Sequence, residues 1–110
     1  MNEAEWKKQF TDLAELLGWE WVHFRPCQER GQWTTPVDGP LGVGWPDVVL
    51  VHDRMRRMII TELKTDVGKL KPDQKRIIDW LTEVFMYPGS NVGVYVWRPR
   101  DFDTIRRVLS

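Results

Sequence analysis

The 110-residue chain is predicted to be a single α/β domain of the α+β kind, with element order αβββαβα and a four-stranded mixed sheet flanked by helices. Three observations predict it. Residues 48–51 and 58–64 are apolar, β-branched runs separated by a polar, turn-like stretch, which is the pattern of a β-hairpin. A helical stripe and a further alternating run follow, so the second hairpin strand, the helix and the last strand form a βαβ unit with a right-handed crossover. A separate amphipathic pattern occupies the first seventeen residues. A chain of this length can bury one core but not two, so the whole of 1–110 is one domain.

Helix one is expected over 3–17. Asn2 is its N-cap, with Glu5 three residues on, and Trp6, Phe10, Leu13 and Leu17 make one apolar stripe. Gly18 supplies the stop. Residues 19–24 (Trp, Glu, Trp, Val, His, Phe) read as the first strand. Residues 25–44, punctuated by glycine and proline, read as a long irregular segment, and loops of that length are usually functional. It carries Arg25, Arg30, Trp33, Thr34 and Thr35, types that contact phosphates and stack on bases but also occur in any surface loop.

The hairpin carries the chemistry. With a four-residue loop at 53–56, Asp47 falls opposite Glu62, Val49 opposite Ile60 and Val51 opposite Met58. Side chains alternate along a strand, so Asp47, Glu62 and Lys64 share one face. Opposed residues have Cβ atoms only ~4.5–5.5 Å apart, close enough for two carboxylates to share one hard cation. Without a cation the pair would repel. Two carboxylates and an amine at this spacing suit metal-assisted hydrolysis of a phosphodiester. No constellation supports a histidine-dependent or serine-nucleophile mechanism; His23 could line the site, yet a strand histidine is more often structural, and it is left out of the candidate set.

Helix two follows a short connection through Gly68, with Pro72 in its first turn. Its buried face is expected to be Ile77, Ile78, Leu81, Val84 and Phe85. Gln74 lies on the same stripe and points inward beside the end of the Glu62/Lys64 strand. Residues 91–97 make the fourth strand, and helix three, from about Asp101, buries Phe102, Ile105, Val108 and Leu109.

Sixteen basic and sixteen acidic residues cancel, so no global basic field points to nucleic acid. The basic residues are locally clustered. Arg54, Arg56 and Arg57 crowd the hairpin tip, while Lys64, Lys69, Lys71, Lys75 and Arg76 surround the candidate site. Seven tryptophans argue for a dense core or for an aromatic surface left to a partner. Cys27 is alone, which excludes a disulfide framework and a cysteine-based zinc site. With no long apolar run and no signal-like N-terminus, the expectation is a soluble cytoplasmic protein without membrane contact or organic cofactor.

Four stretches carry a resemblance over nearly the whole chain. They are Gly44, Trp45, Pro46, Asp47; then Thr61, Glu62, Leu63, Lys64; then Gly68 through Lys71 to Gln74, with an ending Val94, Tyr95, Val96, Trp97, Arg98, Pro99. The chain resembles the PD-(D/E)XK nuclease superfamily, and within it the small stand-alone VRR-NUC (virus-type replication-repair nuclease) type. The resemblance implies a restriction-endonuclease-like core and a Mg²⁺- or Mn²⁺-dependent endodeoxyribonuclease. Asp47 and Glu62 would be the metal-binding carboxylates, the Leu63 backbone carbonyl a further oxygen ligand, Lys64 the residue that steadies water and phosphate, and Gln74 a support. The family also places a glutamate of the first helix beside the metal. Glu3 fits that place, Glu5 stays open, and Glu15 fits least. Lys69, Lys71, Arg25 and Arg30 are the candidate phosphate contacts.

Small members of this type are phage or bacterial enzymes acting on branched or flapped DNA, several as Holliday-junction resolvases. Because one subunit offers one site and a four-way junction needs two symmetric cuts, a homodimer is expected. The alternatives are a general or flap-specific nuclease of the same fold, an RNA-cleaving or mobile-element relative, and a non-catalytic DNA-binding accessory module.

Overall fold

A computed structural model describes residues 1–24, 27–29, 31–34 and 38–110, with 27–29 and 32–34 described by their backbone alone. Helix α1 (Glu3–Leu16) starts as its sequence dictates. The Asn2 side chain accepts from the Glu5 amide at 2.8 Å and donates to the Glu5 carboxylate at 2.7 Å, a reciprocal cap. Trp6, Phe10 and Ala14 are buried on one face, and Gly18, at φ +91°, ends the helix in a conformation that an L side chain resists. Strand β1 (Glu20–His23) follows.

The segment expected to be irregular contains a small antiparallel hairpin, β2 (Cys27–Glu29) and β3 (Gln32–Thr34), with Cys27 opposite Thr34. Gly31, between the two strands, lies at φ +77°, a conformation that favours glycine. Such a three-residue strand pair is too short to leave an alternating apolar signature, so only its turn glycine showed in the sequence.

Strands β4 (Val48–His52) and β5 (Arg57–Leu63) pair antiparallel in the expected register, Val49 with Ile60 and Val51 with Met58, around the loop 53–56. Helix α2 (Pro72–Phe85) crosses over to β6 (Val92–Trp97), which lies parallel to β5. A 3₁₀ turn (Pro99–Asp101) leads into α3 (Phe102–Leu109). The main sheet has order β1-β4-β5-β6 and is mixed and four-stranded.

The two faces of the sheet are packed by different helices. Val48, Leu50, Ile59 and Leu63 face α1 and α3, meeting Trp6, Phe10, Trp19, Ile105 and Leu109. Ile60 and Val94 face α2, meeting Ile77, Ile78 and Leu81. This two-sided burial makes the central strands β4 and β5 nearly continuous in apolar residues. Val84, expected in the core, is 46 % exposed, because the inward stripe of α2 runs through 77, 78, 81 and 85 and leaves 84 on the outer side with Trp80. Trp6, Trp19 and Trp97 are core residues, Trp21 and Trp45 pack part-buried against the two cores, and Trp80 is exposed, so the tryptophans serve core and surface both. No helix among the described residues is long and apolar enough to cross a membrane.

Candidate active site

The β4–β5 hairpin opens at one end, and the candidate residues gather there. Pro46 is fully buried and delivers Asp47 to the mouth of β4. The Leu63 amide donates to Asp47 Oδ1 at 3.0 Å, and the Asp47 amide donates to Glu62 Oε2 at 3.1 Å. Each carboxylate is therefore held by the backbone of the strand opposite. In an extended strand the N–H and C=O of one residue point to the same side, so the Leu63 carbonyl also faces Asp47.

Glu62 is 5 % exposed and lies on the α2 face. Its Oε1 accepts from Gln74 Nε2 at 3.2 Å and faces Lys64 Nζ at 3.7 Å. Gln74 has two roles at once, since its Oε1 also accepts from the Lys71 amide at 2.9 Å and caps α2. Gly44 explains how α2 comes so near. At φ +90° it sits against the first turn of α2, where an added Cβ would lie 2.6 Å from the Asp73 backbone. A larger residue there would push the helix, and Gln74 with it, away from Glu62.

Burial, and after it the negative charge of Asp47, push the Glu62 carboxyl up to about 7, against the opposing pull of Lys64 and the Asp47 amide. A buried carboxylate that resists ionisation beside a second one fits a site meant for a divalent cation. The donor chemistry is hard oxygen, which suits Mg²⁺ or Mn²⁺. As the side chains stand, no three His, Cys, Asp or Glu groups among the described residues converge on one point.

A cleft of about 940 Å³ opens over these groups and is lined by Glu3, Lys7, His23, Asp47, Glu62, Lys64, Lys71 and Gln74. Glu3, in the first turn of α1, reaches it, whereas Glu5 is occupied with the Asn2 cap and Glu15 accepts from Trp21 Nε1 at 2.9 Å. Lys71 lines the cleft, and Lys69 is exposed outside the lining. Arg25, Arg30 and Thr35 lie outside the described residues, as do the side chains of Trp33 and Thr34.

The hairpin-tip arginines are at the other end of the strands. Five strand residues separate them from Asp47, roughly 17 Å. Arg57 is a packing residue there, donating to the Val108 carbonyl at 2.8 Å and lying 5.3 Å over the Trp19 ring.

A model of the VRR-NUC domain matches residues 20–98. The chain belongs to the VRR-NUC domain family. That family is of nuclease type, within the PD-(D/E)XK superfamily, so the resemblance read from Asp47, Glu62, Lys64 and Gln74 holds. No curated protein and no solved structure matches the chain. The matched span of the VRR-NUC domain runs from β1 to the residue after β6, leaving Glu3 and α1 outside it.

Two residues of this VRR-NUC chain carry roles that its sequence does not announce. His23, expected to be structural, places Nε2 3.5 Å from Asp47 Oδ2. The signal was absent because β1 and β4 are separated by the 24–47 excursion and only their pairing, His23 opposite Val48, brings the ring to Asp47. Arg98 donates through Nη1 to the carbonyls of Thr65 and Gly68, tying down the loop that follows Lys64.

Proposed function

We propose that the protein is a Mg²⁺- or Mn²⁺-dependent endodeoxyribonuclease that hydrolyses phosphodiester bonds in branched DNA, resolvase-like, during phage or bacterial replication, repair or recombination in the cytoplasm. One observation carries the reading: a buried Glu62 and a part-buried Asp47, locked together across the open hairpin end, with Lys64 beside them in an open cleft.

Asp47, Glu62 and the Leu63 carbonyl would hold the cation, with Glu3 at the rim of the same cleft. The bound cation supplies Lewis-acid polarisation of the phosphate and lowers the pKa of a water. Lys64 Nζ orients the attacking water and sets positive charge where the phosphate gains negative charge on the way to the transition state. Gln74 fixes Glu62 Oε1, and Leu63 N–H fixes Asp47 Oδ1, so neither carboxylate must reorganise during the reaction. The first turns of α1 and α2 both border the cleft, and helix N-termini favour an incoming phosphate.

Selectivity for branched DNA follows from charge. With zero net charge the chain has no general field to hold duplex, so affinity comes from a few local contacts such as Lys71. A homodimer spanning a branch point multiplies those contacts and provides the second cut. Trp80, Val84 and Tyr87, all exposed on or just after α2, offer apolar surface for a second copy.

The test is cleavage of four-way junction, 5′ flap, 3′ flap, linear duplex, single strand and an RNA counterpart, each with Mg²⁺ and with Mn²⁺. Metal-dependent cutting of branched DNA well above linear duplex is expected. Equal cutting of linear duplex would make the protein a general nuclease. Binding without cutting under any metal would make it an accessory module.

A further inference from the structure

Two histidines occur in the chain, and they are placed very differently. His52 has both ring nitrogens engaged: Nδ1 accepts from the Met55 amide at 3.1 Å, and Nε2 faces the Leu17 carbonyl at 3.1 Å. It is what a structural histidine should be. His23 has a side chain only 13 % exposed, yet its Nδ1 is buried without a hydrogen-bond partner among the described residues. Its Nε2 faces Asp47 Oδ2, the one oxygen of Asp47 that no backbone amide holds.

The 3.5 Å separation suits an ion pair only where the His23 ring is protonated, and for a neutral ring it leaves a hydrogen bond or a shared cation. A normal N–H···O hydrogen bond spans about 2.7–3.2 Å, so this contact is too long to be a good one. Two donor atoms bound to one cation at about 2.0–2.2 Å each are separated by roughly 3.0–3.5 Å for bond angles between 90° and 110°. The pair therefore has the spacing of neighbouring ligands on a shared cation. His23 also reaches the cleft from the α1 side of the sheet, whereas Glu62, Lys64 and Gln74 come from the α2 side, so it adds a donor where the carboxylates leave a gap.

We infer that His23 Nε2 is a ligand of the catalytic metal, beside Asp47 Oδ2, and that this nitrogen biases the site toward Mn²⁺ over Mg²⁺. The inference rests on the metal-site reading of Asp47 and Glu62. Its chemical basis is that imidazole binds transition-metal ions better than it binds Mg²⁺, which keeps oxygen ligands and water.

The experiment is pulsed EPR on the full chain loaded with Mn²⁺, unlabelled and with ¹⁵N-histidine, together with titrations of Mn²⁺ and Mg²⁺ by wild type, His23→Gln and His52→Gln. Expected are a nitrogen coupling that changes with the label, persists in His52→Gln and vanishes in His23→Gln. Expected too is a loss of Mn²⁺ affinity of roughly tenfold or more in His23→Gln, against a smaller change for Mg²⁺. Stoichiometric Mn²⁺ binding by wild type with no nitrogen coupling overturns the assignment of His23 and leaves the metal site standing. No Mn²⁺ binding at all overturns the metal site itself. The wild-type spectrum decides between these even should His23→Gln fail to fold.

Discussion

At its turn end, the β4–β5 hairpin meets Trp19, His52 and Arg57, and every polar atom named there has a partner. Trp19 Nε1 donates to the Leu109 carbonyl at 2.9 Å, Arg57 to that of Val108, and His52 bridges Leu17 and Met55. At its open end the same two strands hold Asp47 and Glu62 facing each other, with His23 Nδ1 unpartnered among the described residues and the Glu62 carboxyl raised to about 7. One end closes the C-terminal helix and the last turn of α1 onto the sheet and is satisfied by the protein alone. The other stores like-charge repulsion that a bound cation would relieve, together with one buried nitrogen without a partner among the described residues, features more usual in functional sites than in packed cores.

The contrast is broken most severely by neutralising the open end. Asp47→Asn and Glu62→Gln should each reduce cleavage to background while the circular dichroism spectrum and cooperative unfolding persist. Full activity of purified Asp47→Asn in Mg²⁺ would refute the site. Lys64→Ala should lose about 10²–10³-fold in turnover, the range found for a group that meets charge developing in the transition state, while keeping Ca²⁺-supported DNA binding. Parallel losses in affinity and turnover would make Lys64 a phosphate clamp instead.

A third prediction concerns stability and has a definite sign. Glu62 has a folded-state pKa of about 7 against an ordinary 4.5, so between those values the native state holds a proton that the unfolded state has released. Stability of the metal-free protein from this group is therefore greatest at low pH and falls as pH rises from about 4.5 to 7, by about 3 kcal/mol in all. Urea titrations of metal-free wild type and Glu62→Gln should converge near pH 5 and separate above pH 7, the variant being the more stable there. Parallel curves across that range would show that the carboxylates do not strain the fold.

The turn end should respond in the opposite way. Arg57→Ala removes a charged donor from the Val108 carbonyl and a guanidinium from the Trp19 face, and should cost about 1–3 kcal/mol in unfolding free energy. Metal affinity and turnover of the folded fraction should not change.

The same division separates what was legible in the sequence from what was not. The hairpin register followed from two apolar runs and a four-residue loop between them, and with it the Asp47 and Glu62 pairing, because local pairing needs only local sequence. The Asn2 cap, the Gly18 stop and the inward Gln74 were legible for the same reason. Relations across long chain separations were not. His23 meets Asp47 only through the β1 and β4 pairing, and Arg57 meets Val108 only because α3 returns to the hairpin turn. Arg57 in sequence was one of three arginines at a tip, indistinguishable from Arg54 and Arg56. Val84 was misplaced by a single helical position, since 84 and 85 lie on either side of the boundary of the buried stripe.

The smallest effect is the sharpest test of which end touches DNA. Lys71 lines the cleft at the open end, whereas Arg54 and Arg56 are exposed at the far end, and Arg56 pairs with Asp53 at 3.0 Å. For duplex arms, removing one cation from a phosphate should lower the slope of log K against log salt by roughly 0.9. In the cleavage-inactive Asp47→Asn background, adding Lys71→Ala should reduce the slope for a four-way junction by about that amount per subunit. Adding Arg54→Ala and Arg56→Ala together should leave it unchanged, because a phosphate engaged at the open end lies beyond the reach of the tip. Equal slope reductions from both ends would mean that DNA runs the length of the hairpin, and that the satisfied end belongs to the binding surface as well.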